Sequence, residues 1–303
     1  MGKRRKLFAG IVALVAAVAL VAFLSREREP VYGGKTLSQW VILLPRGPWP
    51  MKNDATAEDA IVHIGPPALP YLTKWIQYRE PRTKGKLASA INDVRRKLCR
   101  ILGRAISFDD QNTRAVGAAK AFCLIAPQTT NALRELGQLA DKSAAAGSGT
   151  ETFVISIRAC YGLRDFRADG VPYLLQLLTN RQHVIAADVL GYMGTDAFPA
   201  IPALIQSLQS TKPGLPATAA RALGRLHHDP NLVLPALAAC LNSTNSTTRA
   251  FAINAIADFD TDALSTASSV RPMLADPDNS VRDAATNFFR AVDPKALAKA
   301  PTP

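Results

Sequence analysis

The chain has 303 residues, 48% of them hydrophobic and 20% charged, with a formal net charge of +12. Its four histidines and four cysteines show no metal-ligand spacing, and no Ser-His-Asp set, acid–base carboxylate pair or phosphate cradle stands out. These absences weigh against the familiar catalytic classes, so no catalytic residue, metal or cofactor is assigned.

Residues 3–6 are Lys-Arg-Arg-Lys, and the 18 residues Leu7–Leu24 carry no charge. That run just suffices to span a membrane and exceeds a usual signal-peptide core. No Ala-x-Ala site closes it, and no cysteine is placed for lipid attachment. It reads as an uncleaved signal anchor, with a cleaved signal and secretion as the alternative. The positive tail places the N-terminus in the cytoplasm and the rest outside it, on the periplasmic side if the source is bacterial.

Residues 1–29 are therefore basic tail and transmembrane helix, and the proline- and glycine-rich residues 30–53 a poorly helical juxtamembrane arm. Within the arm, Leu37–Leu44 is apolar enough to dock as a cap on the first repeat of the domain downstream. Gly33–Gly34–Lys35–Thr36 lacks the upstream glycine and strand of a phosphate-binding loop and receives no weight.

Between Lys74 and Arg104 ten cations face two acids, and with the N-terminal tail this block accounts for the whole net charge. Leu87, Ile91, Val94 and Leu98 recur at helical spacing inside it. Lys84, Lys86, Arg95, Arg96, Lys97, Arg100 and Arg104 could then lie against an anionic membrane surface. The alternative is a helix that packs its apolar stripe and solvates its charges. Nucleic acid fits poorly, because the block's only aromatics, Trp75 and Tyr78, sit at its start and do not interleave the later cations, and because the compartment contains little of it. Residues 142–150, Lys-Ser-Ala-Ala-Ala-Gly-Ser-Gly-Thr, read as an exposed loop.

The decisive pattern lies further on. Ala186, Ala219, Ala252 and Ala285 are 33 residues apart, and each is followed four residues later by Leu190, Leu223, Ile256 or Phe289. Small at one position and large four later puts both side chains on one helical face. The position after the large residue reads Gly191, Gly224, Ala257 and Arg290. Each helix is followed by turn residues and a second apolar run bearing Pro202 or Pro235, a proline suited to a first helical turn. Ala60–Ile64, Ala118–Phe122 and Ala159–Leu163 extend the spacing upstream, although Ala159 to Ala186 is only 27 residues. A period in this range marks stacked repeats that bury their faces against one another, giving roughly six helix pairs between residues 54 and 293. Residues 294–303 form a flexible tail.

Asp278–Asn279–Ser280–Val281–Arg282–Asp283–Ala284–Ala285 and Thr248–Arg249–Ala250–Phe251–Ala252 resemble the second helix of the HEAT-repeat family, including its bacterial short-repeat form. The resemblance implies an all-α fold: a right-handed α-solenoid of stacked antiparallel helix pairs. It also implies a protein-binding scaffold, with an enzyme of the bilin-lyase or DNA-repair type as the alternative. The expectation is thus a membrane-anchored, non-catalytic scaffold for a protein or peptide ligand. Two and six residues after the alanines, Asp188, Tyr192, Arg221, Arg225, Asn254, Asp258 and Asn287 form a polar ladder facing away from the buried stripe, the candidate partner-binding surface. His227 and His228 read as solvated turn residues. Cys99, Cys123, Cys160 and Cys240 sit in apolar helical settings that favour free buried thiols over pairing.

Overall fold

Gly33 and Gly34 adopt left-handed backbone, with φ of +56° and +77°, and let the chain reverse between Val31–Tyr32 (β1) and Lys35–Thr36 (β2). Two consecutive positive-φ residues are what a tight hairpin turn requires, and glycine meets that at little steric cost. The Gly-Gly-Lys-Thr run is therefore a hairpin. The computed structural model describes residues 28–44, 55–78, 111–129, 131–145, 150–179 and 183–294.

Helix α1, Leu37–Leu43, continues directly from the hairpin, opened by a capping box between Thr36 and Gln39. Leu37, Val41 and Leu44 are buried, and Trp40 donates its indole N–H to the Tyr32 carbonyl at 3.0 Å. The expected arm is thus partly built: α1 packs against α2 (Ala55–Ile64) and α4 (Gln111–Ile125). Gly117 of α4 lies against the Val41 carbonyl so closely that a Cβ there would collide with it.

The remaining helices are α3 (Leu69–Ile76), α5 (Asn131–Ala145), α6 (Thr150–Asp165), α7 (Val171–Thr179), α8 (His183–Gly191) and α9 (Ile201–Ser207). Then come α10 (Leu215–Leu226), α11 (Pro230–Ala239), α12 (Ser246–Ala257), α13 (Ala267–Val270) and α14 (Asn279–Val292). Among the described residues, the joints from α2 to α3, from α6 to α7 and from α8 through α14 are short turns or 3-10 segments. The even-numbered helices from α4 onward pack on one another in sequence, and the odd-numbered ones cover them as a second layer.

The alanine register is the seam of that stack. Ala60, Ala118, Ala159, Ala186, Ala219, Ala252 and Ala285 have no exposed surface, and Leu190, Leu223, Ile256 and Phe289 are buried beside them. Burying one such large side chain contributes about 1.5–3 kcal/mol. The position after the large residue lets the backbones meet. A Cβ on Gly191 would stand 2.8 Å from Ala222 Cα, and one on Gly224 2.8 Å from Ala255 Cα. At the corresponding place in α14 stands Arg290, exposed and bonded to Asn287.

Three expectations change in detail. Helix α5 continues through Ala145 and α6 opens at Thr150, so residues 142–145 and 150 of the expected loop are helical, and residues 146–149 lie outside the described residues. Pro202 occupies the first turn of α9, but Pro235 lies inside α11 because Pro230 starts that helix earlier. Part of the short 27-residue step arises in the connection after α6, where residues 166–170 do the work of 192–200 in the next repeat. Residues 1–27 (the expected membrane segment included), the basic block from Arg79 to Arg104, Cys99 and residues 295–303 lie outside the described residues. Among those described, no helix is long and apolar enough to cross a membrane.

Candidate functional site

The ladder residues come from consecutive repeats and share one face of the even-numbered layer, but they are not independent rungs. Asp188 on α8 accepts hydrogen bonds through one oxygen, Oδ1, from Arg221 Nη2 and Arg225 Nη1 on α10, both at 2.8 Å. The Arg225 guanidinium lies 4.0 Å from the Tyr192 ring centroid, and that of Arg221 lies 5.3 Å from Phe251 on α12. The first two repeats of the ladder thus satisfy part of their own bonding capacity. Asn254, Asp258 and Asn287 remain at least partly exposed.

Two members escaped the sequence reading. Tyr161 sits two residues after Ala159, which the irregular 27-residue step took out of register. Burial raises its phenol above the ordinary range, with Asp188 and Tyr192 adding to the effect. Phe251 precedes its alanine by one position, where sequence periodicity marks nothing. Its signal was the arginine 30 residues earlier, visible only once the helices are side by side.

Electrostatics vary along this face. Desolvation holds the Asp258 carboxyl above the usual range and Asp260 adds to it, while His227 and Arg225 oppose the shift. The ladder is therefore a row of mixed charge with guanidiniums at its centre.

A second polar cluster ties the repeats together. Arg249 forms a fork onto buried Asp276 of the next repeat, Nε to Oδ2 at 2.8 Å and Nη2 to Oδ1 at 2.7 Å. Its Nη1 also donates to the Ser243 carbonyl, and Arg282 donates to the Asp276 carbonyl, so both arginines reach six residues upstream. The Arg249 hydrogen bonds hold the Asp276 carboxyl below its usual range. Asn245 and Asp278, also 33 apart, cap α12 and α14. This constellation is structural.

The adjacent histidines lie in a solvated turn as expected, with ring contacts that the sequence did not show. His227 and Asp229 have φ of +45° and +51°, which sends the two imidazoles to opposite sides. His228 stacks on Phe198 of the preceding turn at 3.7 Å, and His227 faces Phe259 of the following turn at 5.0 Å. Both remain solvent-accessible, His227 exposed and His228 partly so, and each also makes a ring contact across a repeat boundary.

Among the described residues no group of three His, Cys, Asp or Glu is placed to hold a metal. Cys123, Cys160 and Cys240 are free thiols, and burial raises all three, Cys160 to about 12 and Cys240 to about 11. Such thiols are poor nucleophiles. An open groove of about 470 Å³ runs between α11 and the Asp260–Thr266 segment, lined by Asn231, Leu234, Pro235, Asp262 and Ser265.

Residues 201–290 match the family described as HEAT repeats. That stretch carries HEAT repeats. The matched stretch spans α9 to α14, where spacing and inter-repeat clamp are most regular. No curated protein matches the chain. Among solved structures it is similar to Kap121p, at 14% identity over 79% of this chain with a TM-score of 0.47. The chain spans only 28% of Kap121p. It is also similar to human deoxyhypusine hydroxylase in complex with glycerol, at 14% identity over 86% of this chain and 95% of that one, TM-score 0.33. An engineered protein aligns at 18% identity over 85% of this chain and 96% of its own length, TM-score 0.28. None is alike enough to carry a substrate or partner across to these HEAT repeats.

Proposed function

We propose that the protein is a non-catalytic scaffold whose HEAT repeats hold a protein or peptide along the α6–α8–α10–α12–α14 face. One observation carries this reading: the positions two and six after the buried alanines fall in one row across those helices, rich in hydrogen-bonding groups. Packed helices lie about 8–10 Å apart, which is about three residues of an extended chain. Asn254 and Asn287, one repeat apart, each offer a donor and an acceptor that match a peptide unit.

Residues 7–24 anchor this scaffold in a membrane, with the N-terminus cytoplasmic and the repeats outside. The basic segment containing Lys84, Lys86, Arg95, Arg96, Lys97, Arg100 and Arg104 contacts anionic lipid. Support for both comes from composition: an uncharged run preceded by four cations, and a net charge concentrated in that tail and in one segment downstream of the run.

The test compares partners retained by the wild-type protein with those retained by an Asn254→Arg/Asp258→Arg variant. Selective loss of a retained protein, with helicity unchanged, supports the reading; identical retention removes the ladder from it. Carbonate extraction of membranes tests the anchor, which fails if the full chain is released.

A further inference from the structure

Two guanidiniums share a single oxygen of Asp188, and that imbalance indicates what kind of partner the ladder takes. The Arg221–Asp188–Arg225 cluster contains two cations and one anion, and only two of its N–H groups are used on the carboxylate. Arg221 Nε is buried with no hydrogen-bond partner and is closed to a ligand, which therefore meets the exposed part of the guanidinium side chain. Both guanidiniums are already oriented, Arg225 by Tyr192 and Arg221 by Phe251. A planar guanidinium held in one orientation recognises a carboxylate through two parallel hydrogen bonds and loses little further freedom on doing so.

We propose, resting on the scaffold reading above, that Arg221, backed by Arg225, anchors an acidic side chain of an extended peptide whose backbone continues over Asn254. The neighbours set the direction. Asp258 lies on the Arg225 side, where a second carboxylate is repelled. The Arg221 side chain is the more exposed of the two arginines, at 36% against 28%. Asn254 stands at the same register position as Arg221, one helix further on. An acidic residue on Arg221 therefore puts the residue about three positions along the peptide at Asn254.

The experiment uses the full chain in neutral detergent and three fluorescent decapeptides that carry Glu, Gln or Lys at every third position. Binding is read by anisotropy. A photo-crosslinking amino acid in place of Asn254 locates any bound peptide. The Glu peptide binds at least about tenfold more tightly than the Gln peptide, since a charged hydrogen bond contributes on the order of 1.5–3 kcal/mol. It crosslinks at position 254. Arg221→Gln and Arg221→Gln/Arg225→Gln lose that preference, Arg221→Lys restores only part of it, and Asp258→Asn strengthens it.

Because the basic block also attracts polyanions, an Arg95→Gln/Arg96→Gln/Lys97→Gln/Arg100→Gln variant is measured in parallel and keeps the crosslink. If Glu preference vanishes only in that variant, or if Glu and Gln peptides bind alike, the proposal is overturned. Crosslinking of Gln or Lys peptides at position 254 without preference for Glu leaves the scaffold reading standing and removes the acidic specificity. No crosslink with any of the three peptides removes both.

Discussion

Replacing Gly191 by Ala sets two effects of opposite sign against each other. Helix propensity favours alanine by at most about 1 kcal/mol in a helix interior, and less at Gly191, the last residue of α8. Packing opposes it. The new Cβ would stand 2.8 Å from Ala222 Cα and 3.0 Å from Ala222 Cβ. The first of those atoms is backbone and cannot rotate away, so α8 and α10 must separate. Overpacking of this kind costs about 1–3 kcal/mol, and the net expectation is a loss of about 1–2 kcal/mol. In a stack of repeats, stability is a sum of nearest-neighbour terms, so the loss falls on one interface. Urea unfolding monitored by circular dichroism, in the detergent used for purification, should show a lower midpoint or a broadened transition as the two segments uncouple. Ala222→Gly should rescue Gly191→Ala only in part, because the closer of the two contacts is to Cα. A midpoint equal to or above wild type for Gly191→Ala would refute the idea that close backbone approach sets the repeat spacing.

Leu223→Ala should cost about 2–5 kcal/mol, because it leaves a cavity between α10 and its neighbours. Arg225→Gln, which removes a partly exposed ion pair and a ring contact, should cost about 1 kcal/mol or less; similar losses for the two in urea unfolding would mean the register is misassigned. Arg249→Gln leaves buried Asp276 without its fork and should cost about 3–5 kcal/mol by the same measurement. The pH dependence is set by the signs of two shifts. Asp276 is depressed in the fold, so its stabilisation is present above the ordinary carboxylate range and is lost as pH falls through its lowered value. Asp258 is raised, so its contribution is present below that range and is lost as pH climbs through the raised value. Asp258→Asn should therefore flatten the weakly acidic end of the stability profile, and Asp276→Asn the strongly acidic end. In a Cys99→Ser background, native protein at pH 8 should resist a thiol reagent until urea exposes Cys123, Cys160 and Cys240; rapid native labelling would contradict their burial.

The repeat architecture was legible in the sequence because a helix buries residues by periodicity alone. Ala186, Ala219, Ala252 and Ala285 and their large partners are spaced to lie on one face, and chain connectivity then fixes the order of the helices. Contacts between repeats were not legible, because they depend on how far apart two helices settle. Asp188, Arg221 and Arg225 read as separate rungs and became one cluster only when α8 and α10 closed to the distance that Gly191 permits. Phe251 and Tyr161 joined them from positions with no periodic mark. The left-handed turn at His227 likewise gave two solvated adjacent histidines ring contacts with Phe198 and Phe259. Sequence periodicity determines which side of a helix faces inward, and tertiary packing decides which outward groups meet. Side-chain reach across a helix interface is a property of two segments at once, and no single segment encodes it.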